Sequence, residues 1–202
     1  MELISKTEFN VKKQEYLEKI KNGAVFIYPT DTIYGIGCDA TNEKSVAKIR
    51  DIKERQQTPF TVIAPKKLWI QENCEVFGLG HDYLEKLPGR FTLIFALKHE
   101  GCVADNVNPN NSKKELDEIT DEITQTLGVR IPNHWISDVV KELGIPIITT
   151  SVNRHGESYL TDISNLPVEI RSRVDFAIDD GKIEGSPSKI VDLVSGEAVV
   201  MR

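Results

Sequence analysis

The sequence predicts an α/β (α+β) fold, with a mixed, twisted β-sheet flanked by helices and an open cleft for anionic ligands. Short apolar runs typical of buried strands alternate with segments of helical periodicity throughout the 202 residues. The hydrophobic fraction of 40% is sufficient for one continuous core, and no stretch has the composition of a domain linker. We therefore expect residues 1–202 to form a single domain.

The first half of the chain is predicted to contain helices and strands in alternation. Helices are indicated by apolar residues three or four positions apart and by a cap or a glycine stop. Strands are indicated by short runs of β-branched and aromatic residues. The predicted elements are a helix over 11–20 stopped by Gly23, a strand at 24–28, a helix capped by Asn42 and ending near 53–55, a strand at 60–64, a short helix at 81–87, a turn at Pro88 and Gly89, and a strand at 91–97.

The second half begins with a polar interval near 98–118, which predicts a long surface loop. Residues 113–126 combine helical spacing with several threonines, and we predict a helix that gives way to a strand at 127–131. The remaining predicted elements are a helix capped by Asn133 and stopped by Gly144, a strand at 145–149, a helix at 166–174, and strands at 176–178, 190–194 and 198–201, the last two joined by a hairpin at Ser195 and Gly196.

The composition restricts the classes of function and location. With 31 acidic and 25 basic residues, the formal net charge of -6 disfavours non-specific binding to a nucleic-acid backbone. The cysteines Cys38, Cys74 and Cys102 lack metal-binding spacing, so we expect free thiols in a reducing compartment. The first 21 residues contain no apolar stretch typical of a signal peptide or a membrane span. We expect a cytoplasmic protein that has no membrane partner.

The most informative stretch is the turn that follows the first predicted strand. Pro29 ends that strand, and Thr30, Asp31 and Thr32 then place three short oxygen-bearing side chains in succession. Glycines at positions 35 and 37 allow the backbone to approach a ligand closely. These features predict a ligand-binding loop, although a turn that merely connects two strands has the same local signature.

Lys53 and Arg55 lie at the predicted end of a helix and are followed by a polar stretch. One interpretation is favourable positive charge at the negative end of the helix dipole. The other is phosphate binding, in which Lys53 supplies a point charge and Arg55 a bidentate fork.

Ser151 and Asn153 follow the strand at 145–149, which is where ligands bind in open α/β sheets. In an extended segment both side chains point the same way and are able to serve one ligand. A Ser-Asn turn without a ligand is the alternative.

Arg130 lies in the otherwise apolar strand at 127–131, where a charge requires a partner or a ligand. A structural salt bridge and a bound carboxylate both meet that requirement. Thr126 is four residues upstream, so period-two alternation directs its side chain to the same face of the sheet.

Other chemistries are not indicated. The sequence contains no phosphate-loop Gly-Lys-Ser/Thr pattern, no Gly-x-Gly-x-x-Gly dinucleotide loop, no His-Glu-x-x-His zinc motif and no serine-elbow motif. The acidic pair Asp179 and Asp180 precedes a glycine and is typical of a turn. We predict no metal site formed by protein side chains.

The chain resembles the YrdC-like family, whose best-known members are threonylcarbamoyl-adenylate synthases. The resemblance spans residues 24–202 and rests on motifs at spaced intervals. These are Tyr28-Pro29-Thr30-Asp31-Thr32-Ile33-Tyr34-Gly35, Lys53-Glu54-Arg55 with Pro59, Leu87-Pro88-Gly89 with Thr92, Gly128-Val129-Arg130-Ile131-Pro132-Asn133-His134, Ser151-Val152-Asn153, and Ser188-Lys189-Ile190-Val191-Asp192.

The resemblance implies synthesis of L-threonylcarbamoyl-AMP and pyrophosphate from L-threonine, bicarbonate or CO2, and ATP with Mg²⁺. A downstream threonylcarbamoyl-transferase complex would use the product to modify an adenosine in tRNA. The residues implied are Lys53 and Arg55 in catalysis, Thr32, Arg130, Ser151 and Ser188 in L-threonine binding, and Arg55, Thr58, Thr126, Asn153, Thr161 and Arg202 in ATP binding. For Arg202, a plain surface charge is the alternative.

The chain departs from the family pattern at three positions. Arg90 occupies the place of a proline in many relatives, Lys189 that of a threonine, and Ile63 that of a histidine in some. Two alternative functions therefore remain. One is a family paralogue that lacks the synthase activity or processes another carbamoyl adenylate. The other is a non-catalytic module that binds double-stranded RNA weakly by shape.

Overall fold

A mixed sheet of ten strands organises the part of the chain that the computed structural model describes, residues 1–109, 125–153 and 158–201. The strands are β1 (Glu2–Ser5), β2 (Phe26–Tyr28), β3 (Gly35–Gly37), β4 (Thr61–Ile63), β5 (Phe91–Ala96), β6 (Thr126–Arg130), β7 (Ile147–Ser151), β8 (Phe176–Asp179), β9 (Lys189–Asp192) and β10 (Val199–Val200). Their order is β1-β8-β2-β3-β7-β4-β6-β5-β9-β10. Strand β8 is parallel to β1 and β2, β4 is parallel to β6, and β5 is parallel to β9, whereas the other neighbours are antiparallel.

Helices cover both faces of this sheet. They are α1 (Lys6–Val11), α2 (Lys13–Lys21), α3 (Glu43–Lys53), α4 (Lys67–Asn73), α5 (Gly80–Glu85), α6 (Ile136–Leu143) and α7 (Val168–Arg171). Because successive strand residues point to opposite faces, Phe26 and Tyr28 belong to the core cluster that contains residues of α1, α2 and α6, and Ile27 belongs to the cluster that contains residues of α3, α4, α5 and α7. The predicted mixed sheet flanked by helices is confirmed. Within the described residues, no helix has the length and apolar character needed to span a membrane.

Helix α3 forms where the sequence predicts it. The side-chain oxygen of Asn42 accepts a hydrogen bond from the Ser45 backbone N–H at 3.1 Å, which satisfies one of the unpaired donors of the first turn. A left-handed residue, Glu54, ends the helix with a φ of 53°. This ending turns the chain out of the helix directly after Lys53.

Several predicted boundaries were wrong. The predicted helix over 11–20 is two helices, and Ser5 begins α1 in a capping box with Glu8. Strands β1 and β3 and helix α4 were not predicted, because β1 is a short edge strand and the Gly-Ile-Gly composition of β3 indicates a turn. Glycine is required at position 37, since a Cβ there would lie 2.1 Å from the Ile148 carbonyl oxygen.

The second half also differs in detail. Asn133 does not cap α6, which begins at Ile136 after Trp135, and the Asn133 backbone N–H donates to Asp31 Oδ2. Gly144 ends that helix in the left-handed region, as predicted, and the predicted helix at 166–174 is shortened to α7. The hairpin at Ser195 and Gly196 joins β9 and β10 as predicted. Positions 113–124 of the predicted helix at 113–126 lie outside the described residues.

The three cysteines are free, as predicted from their spacing.

Candidate functional site

A cavity of about 290 Å³ lies over β3, β7, β4, β6, β5 and β9. Thr61 is on the same face of the sheet as the buried Ile63, and Thr149 is on the same face as Ile147. This face therefore has two regions: an apolar region that α6 covers and a hydroxyl-rich region that lines the cavity. The described lining residues with side-chain hydroxyls are Thr30, Thr32, Tyr34, Thr61, Thr92, Thr149, Thr150, Ser151, Tyr159 and Ser188. Two arginines, Arg55 and Arg130, also line it, and among these described residues there is no carboxylate.

The turn after β2 supplies one wall of the cavity. Thr30 Oγ1 accepts hydrogen bonds from the backbone N–H groups of Thr32 and Ile33, at 3.1 and 3.3 Å, and donates to the Ile33 carbonyl at 2.7 Å. Its oxygen also lies 2.9 Å from Thr32 Oγ1. Thr30 therefore shapes the turn, and Thr32, which is completely buried, contacts the guanidinium of Arg130.

The contacts of Arg130 agree with both interpretations of its position in an apolar strand, a structural salt bridge and a residue that binds a carboxylate. Its Nη2 donates to Asp31 Oδ1 at 2.7 Å, and both side chains are almost fully buried, so the structural salt bridge exists. Nη1 and Nη2 also lie 3.4 Å from Thr32 Oγ1, and Arg130 lines the cavity. Burial lowers the pKa of Arg130, and the Asp31 carboxylate opposes that shift. Its Nε is buried and has no hydrogen-bond partner among the described residues.

Asp31 is itself held in place by the chain segment that precedes α6. Its Oδ2 accepts a hydrogen bond from the Asn133 backbone N–H at 2.9 Å. One carboxylate oxygen thus holds Arg130 and the other holds the chain that precedes α6. This pairing fixes the direction of the guanidinium before any ligand binds.

Lys53, predicted to supply a point charge to phosphate, lies in the core and is not among the described residues that line the cavity. Only 1% of the residue is exposed. The ammonium donates to the Ser151 carbonyl at 2.5 Å, to the Asn153 carbonyl at 2.7 Å and to Asn153 Oδ1 at 2.7 Å. These contacts tie the end of α3 to the segment that follows β7.

Arg55 is oriented differently. It is half-buried and lines the cavity, and its Nε is buried without a hydrogen-bond partner among the described residues. Desolvation lowers its pKa. Of the Lys53 and Arg55 pair, Arg55 is the member whose side chain borders the cavity.

Ser151 and Asn153 point the same way, as their alternation predicts. Ser151 Oγ donates to Asn153 Oδ1 at 2.6 Å, and both residues line the cavity. On the other wall, Ser188 is buried, with its Oγ 2.8 Å from Thr92 Oγ1. The structure therefore brings Thr32, Arg55, Arg130, Ser151, Asn153 and Ser188 to one cavity, and their ligands remain predictions.

Other predicted site residues lie off the described cavity wall. Thr58 is exposed. Thr126 begins β6 and Arg130 ends it, so these two residues share a face of the sheet but lie at opposite ends of the strand. Thr161 is half-buried, and its carbonyl accepts from the Ile183 N–H at 2.8 Å. Arg202 lies outside the described residues.

The sequence reasoning missed Arg50, a buried cation of α3. Its signal was available, because Arg50 lies four residues after Val46 and three before Lys53 on the buried stripe of the helix. Asp31 was identified as an oxygen-bearing turn residue but not as the partner of Arg130.

Comparison with known proteins gives a consistent assignment. The Sua5/YciO/YrdC family model, described as "Telomere recombination", matches residues 18–202. A protein of Methanocaldococcus jannaschii named "Putative threonylcarbamoyl-AMP synthase" is 33% identical over 196 residues, which cover 95% of this chain and 85% of that protein.

Two solved structures share the fold. P. abyssi Sua5 complexed with L-threonine superposes with a TM-score of 0.81 at 23% identity and covers all of this chain. This chain spans 56% of that Sua5 chain. YciO of E. coli superposes with a TM-score of 0.77 at 23% identity, over 100% of this chain and 92% of that one.

Proposed function

This chain belongs to the Sua5/YciO/YrdC family, and we propose that it is a threonylcarbamoyl-AMP synthase. The substrates are L-threonine, bicarbonate or CO2, and ATP, and the products are L-threonylcarbamoyl-AMP and pyrophosphate. The name of the M. jannaschii relative and the L-threonine complex of P. abyssi Sua5 support this assignment. The product would pass, in the cytoplasm, to a threonylcarbamoyl-transferase complex that modifies tRNA.

The observation that carries the proposal is the combination of two arginines and many hydroxyls in one cavity without a described carboxylate. We name Asp31, Thr32 and Arg130 the amino-acid side, and Lys53, Arg55 and Asn153 the nucleotide side. Such a cavity suits two anionic substrates, because guanidinium groups bind carboxylates and phosphates while hydroxyls complete their hydrogen bonds. A carboxylate in the wall would instead repel both substrates.

The chemistry needs positioning more than it needs a protein nucleophile. The amine of L-threonine captures CO2 as a carbamate and loses a proton, and a carbamate oxygen then attacks the α-phosphorus of ATP. The bond from the α-phosphorus to its bridging oxygen breaks, and pyrophosphate leaves. Arg130 and Thr32 would hold the amino-acid carboxylate, while Arg55 would stabilise charge that develops on the leaving phosphates.

Mg²⁺ would arrive with ATP as part of the substrate. Among the described residues there is no group of three or more His, Cys, Asp or Glu side chains able to hold a metal ion. Nucleotide-bound Mg²⁺ is coordinated mostly by phosphates and water and needs few protein ligands, so the residues present fit this role.

The three departures from the family pattern differ in how near they lie to the cavity. Arg90 and Lys189 are exposed, and Ile63 is buried in the core beneath α6. None of the three is among the cavity-lining residues that the structure describes. The positive charge of Arg90 nevertheless helps to lower the pKa of Arg130, and its guanidinium and the Thr32 carbonyl both border Gly185, so Arg90 lies near the proposed amino-acid pocket. This departure keeps the paralogue as an alternative.

The test is pyrophosphate release from the purified protein. We expect release only when ATP, L-threonine and bicarbonate are all present. Arg130→Met should abolish it, and Arg171→Met, which changes an exposed arginine of α7, should not. Equal release from ATP alone would indicate a nucleotide hydrolase. A folded protein that releases none and binds double-stranded RNA would instead support the RNA-binding alternative.

A further inference from the structure

Arg50 is a buried cation that lies outside the cavity wall. Only 4% of the residue is exposed, and it lies in the last turn of α3. Burying a guanidinium is costly unless its donors are paired. The contacts that pair them therefore indicate what the residue does.

All hydrogen bonds that the structure describes for this guanidinium go to backbone carbonyl oxygens. They belong to two segments: the loop that follows α3 and the 3-10 helix Asp105–Val107. The acceptors are Arg55, Gln56 and Thr58 from Nη1 at 2.8, 3.3 and 3.1 Å, Asn106 from Nε at 2.7 Å, and Val107 from Nη2 at 3.0 Å.

The second segment is anchored to the cavity wall. The Val107 carbonyl also accepts from the Phe60 backbone N–H at 2.9 Å, and the guanidinium lies over the Phe60 ring at 4.4 Å. Phe60 is buried and lines the cavity. Arg50 thus connects the loop at 55–58 to a fixed part of the structure.

The loop needs such a support. Residues 56–58 are exposed and belong to no helix or strand, and the left-handed Glu54 precedes them. With the carbonyl of Arg55 turned inward to Arg50, its side chain is left to face the cavity. A single guanidinium that holds the carbonyl groups of Arg55, Gln56 and Thr58 fixes the path of this backbone.

Lysine would not replace arginine here. Its ammonium presents three donors from one atom, whereas the guanidinium presents five in a planar fork that spans both segments. Arginine at this position is explained by geometry, because all the described acceptors are neutral.

We propose that Arg50 is a positioning residue for the nucleotide side: it holds the loop at 55–58 so that Arg55 is presented to a phosphate-bearing ligand. The identity of that ligand as ATP rests on the proposed function. The ordering of the loop does not.

The first experiment compares Arg50→Lys with wild type and with Arg171→Lys, the same chemical change at an exposed site. Hydrogen exchange measured by mass spectrometry should show the amides of Arg55 and Phe60, which bind the Arg50 and Val107 carbonyls, exchanging at least about tenfold faster in Arg50→Lys. Peptides covering 130–134, on the amino-acid side, should be unchanged in both variants. Unchanged exchange at 55–60 in folded Arg50→Lys would overturn the proposal.

The second experiment is calorimetric titration of the same proteins with MgATP and, separately, with L-threonine. Arg50→Lys should bind MgATP at least about tenfold more weakly and L-threonine as wild type does. Equal weakening for both ligands would indicate a general structural role and contradict the proposal. If wild type binds no MgATP, the synthase assignment fails, whereas the exchange measurement still decides whether Arg50 orders the loop.

Discussion

The two sides of the cavity hold their arginines by different means. On the amino-acid side, Arg130 pairs with the carboxylate of Asp31, which in turn is fixed by the Asn133 N–H. Near the nucleotide side, Arg50 is held by neutral carbonyl groups, and neither Arg50 nor Arg55 pairs with a carboxylate among the described residues. The charge of Arg130 is therefore compensated by a carboxylate, whereas the charges of Arg50 and Arg55 are not compensated in this way.

This difference separates two ways of binding an anion. A neutralised arginine attracts a ligand mainly through the direction of its N–H groups, so geometry determines affinity. An arginine without a counter-ion also attracts through its net charge, which suits a polyphosphate that carries several negative charges. The carboxylate of one amino acid and the phosphates of a nucleotide match these two arrangements.

The largest expected effect comes from breaking the charge pair of the amino-acid side. Asp31→Asn should lower the free energy of unfolding by about 3 kcal/mol, because it leaves Arg130 buried without a counter-ion. Arg130→Met should have a similar cost, and the double variant should lose clearly less than the sum of the two. Chemical denaturation measures all three.

The matched control is Lys6→Met, which removes an exposed pair with Asp180 and should cost under about 1 kcal/mol. Strict additivity of Asp31→Asn and Arg130→Met would show that the two side chains do not depend on each other.

On the nucleotide side, Lys53→Met should lower the free energy of unfolding by about 2 kcal/mol. The reason is that three partly buried oxygens of Ser151 and Asn153 lose their charged donor. Thermal melting measures the change, with Lys66→Met on the exposed surface as the control. Equal melting temperatures for the two variants would contradict the buried position of Lys53.

Crossed ligand titrations should separate the two sides. Arg130→Lys keeps the charge but loses the fork, so L-threonine affinity should fall about tenfold while MgATP affinity stays unchanged. Arg55→Met should give the reverse pattern, with a stability change near the roughly 0.5 kcal/mol of surface sites. Calorimetry measures both affinities. A variant that loses affinity for both ligands would show that the two sides do not bind L-threonine and MgATP separately.

The smallest expected effect is the dependence on salt. Raising the ionic strength from about 0.05 to about 0.5 M should weaken MgATP binding several-fold more than L-threonine binding, because uncompensated charge is the more strongly screened. Titrations at several salt concentrations measure the two slopes. Equal salt dependence of the two affinities would contradict the proposed electrostatic difference between the two sides.

Most of the secondary structure and part of the site follow from local patterns. The cap at Asn42, the stop at Gly144 and the hairpin at Gly196 were predicted correctly because each depends on a few neighbouring residues. Strand β3 was missed because its glycines indicate a turn. The reason for glycine at position 37 is the close approach of the Ile148 carbonyl, which belongs to another strand. The cap predicted at Asn133 was wrong, because α6 begins only at Ile136, and the Asn133 N–H binds Asp31, 102 residues away.

The sequence by itself determined which face each residue occupies. Alternation places Ser151 and Asn153 together, and a charge in an apolar strand identifies Arg130 as a residue that needs a partner. The tertiary structure decided which partner. Lys53 reaches oxygens 98 and 100 residues away, and Arg130 reaches Asp31 at a separation of 99. Periodicity constrains the direction of a side chain but not the element that packs against it, so the burial of Lys53 and the pairing of Arg130 depended on the folded sheet.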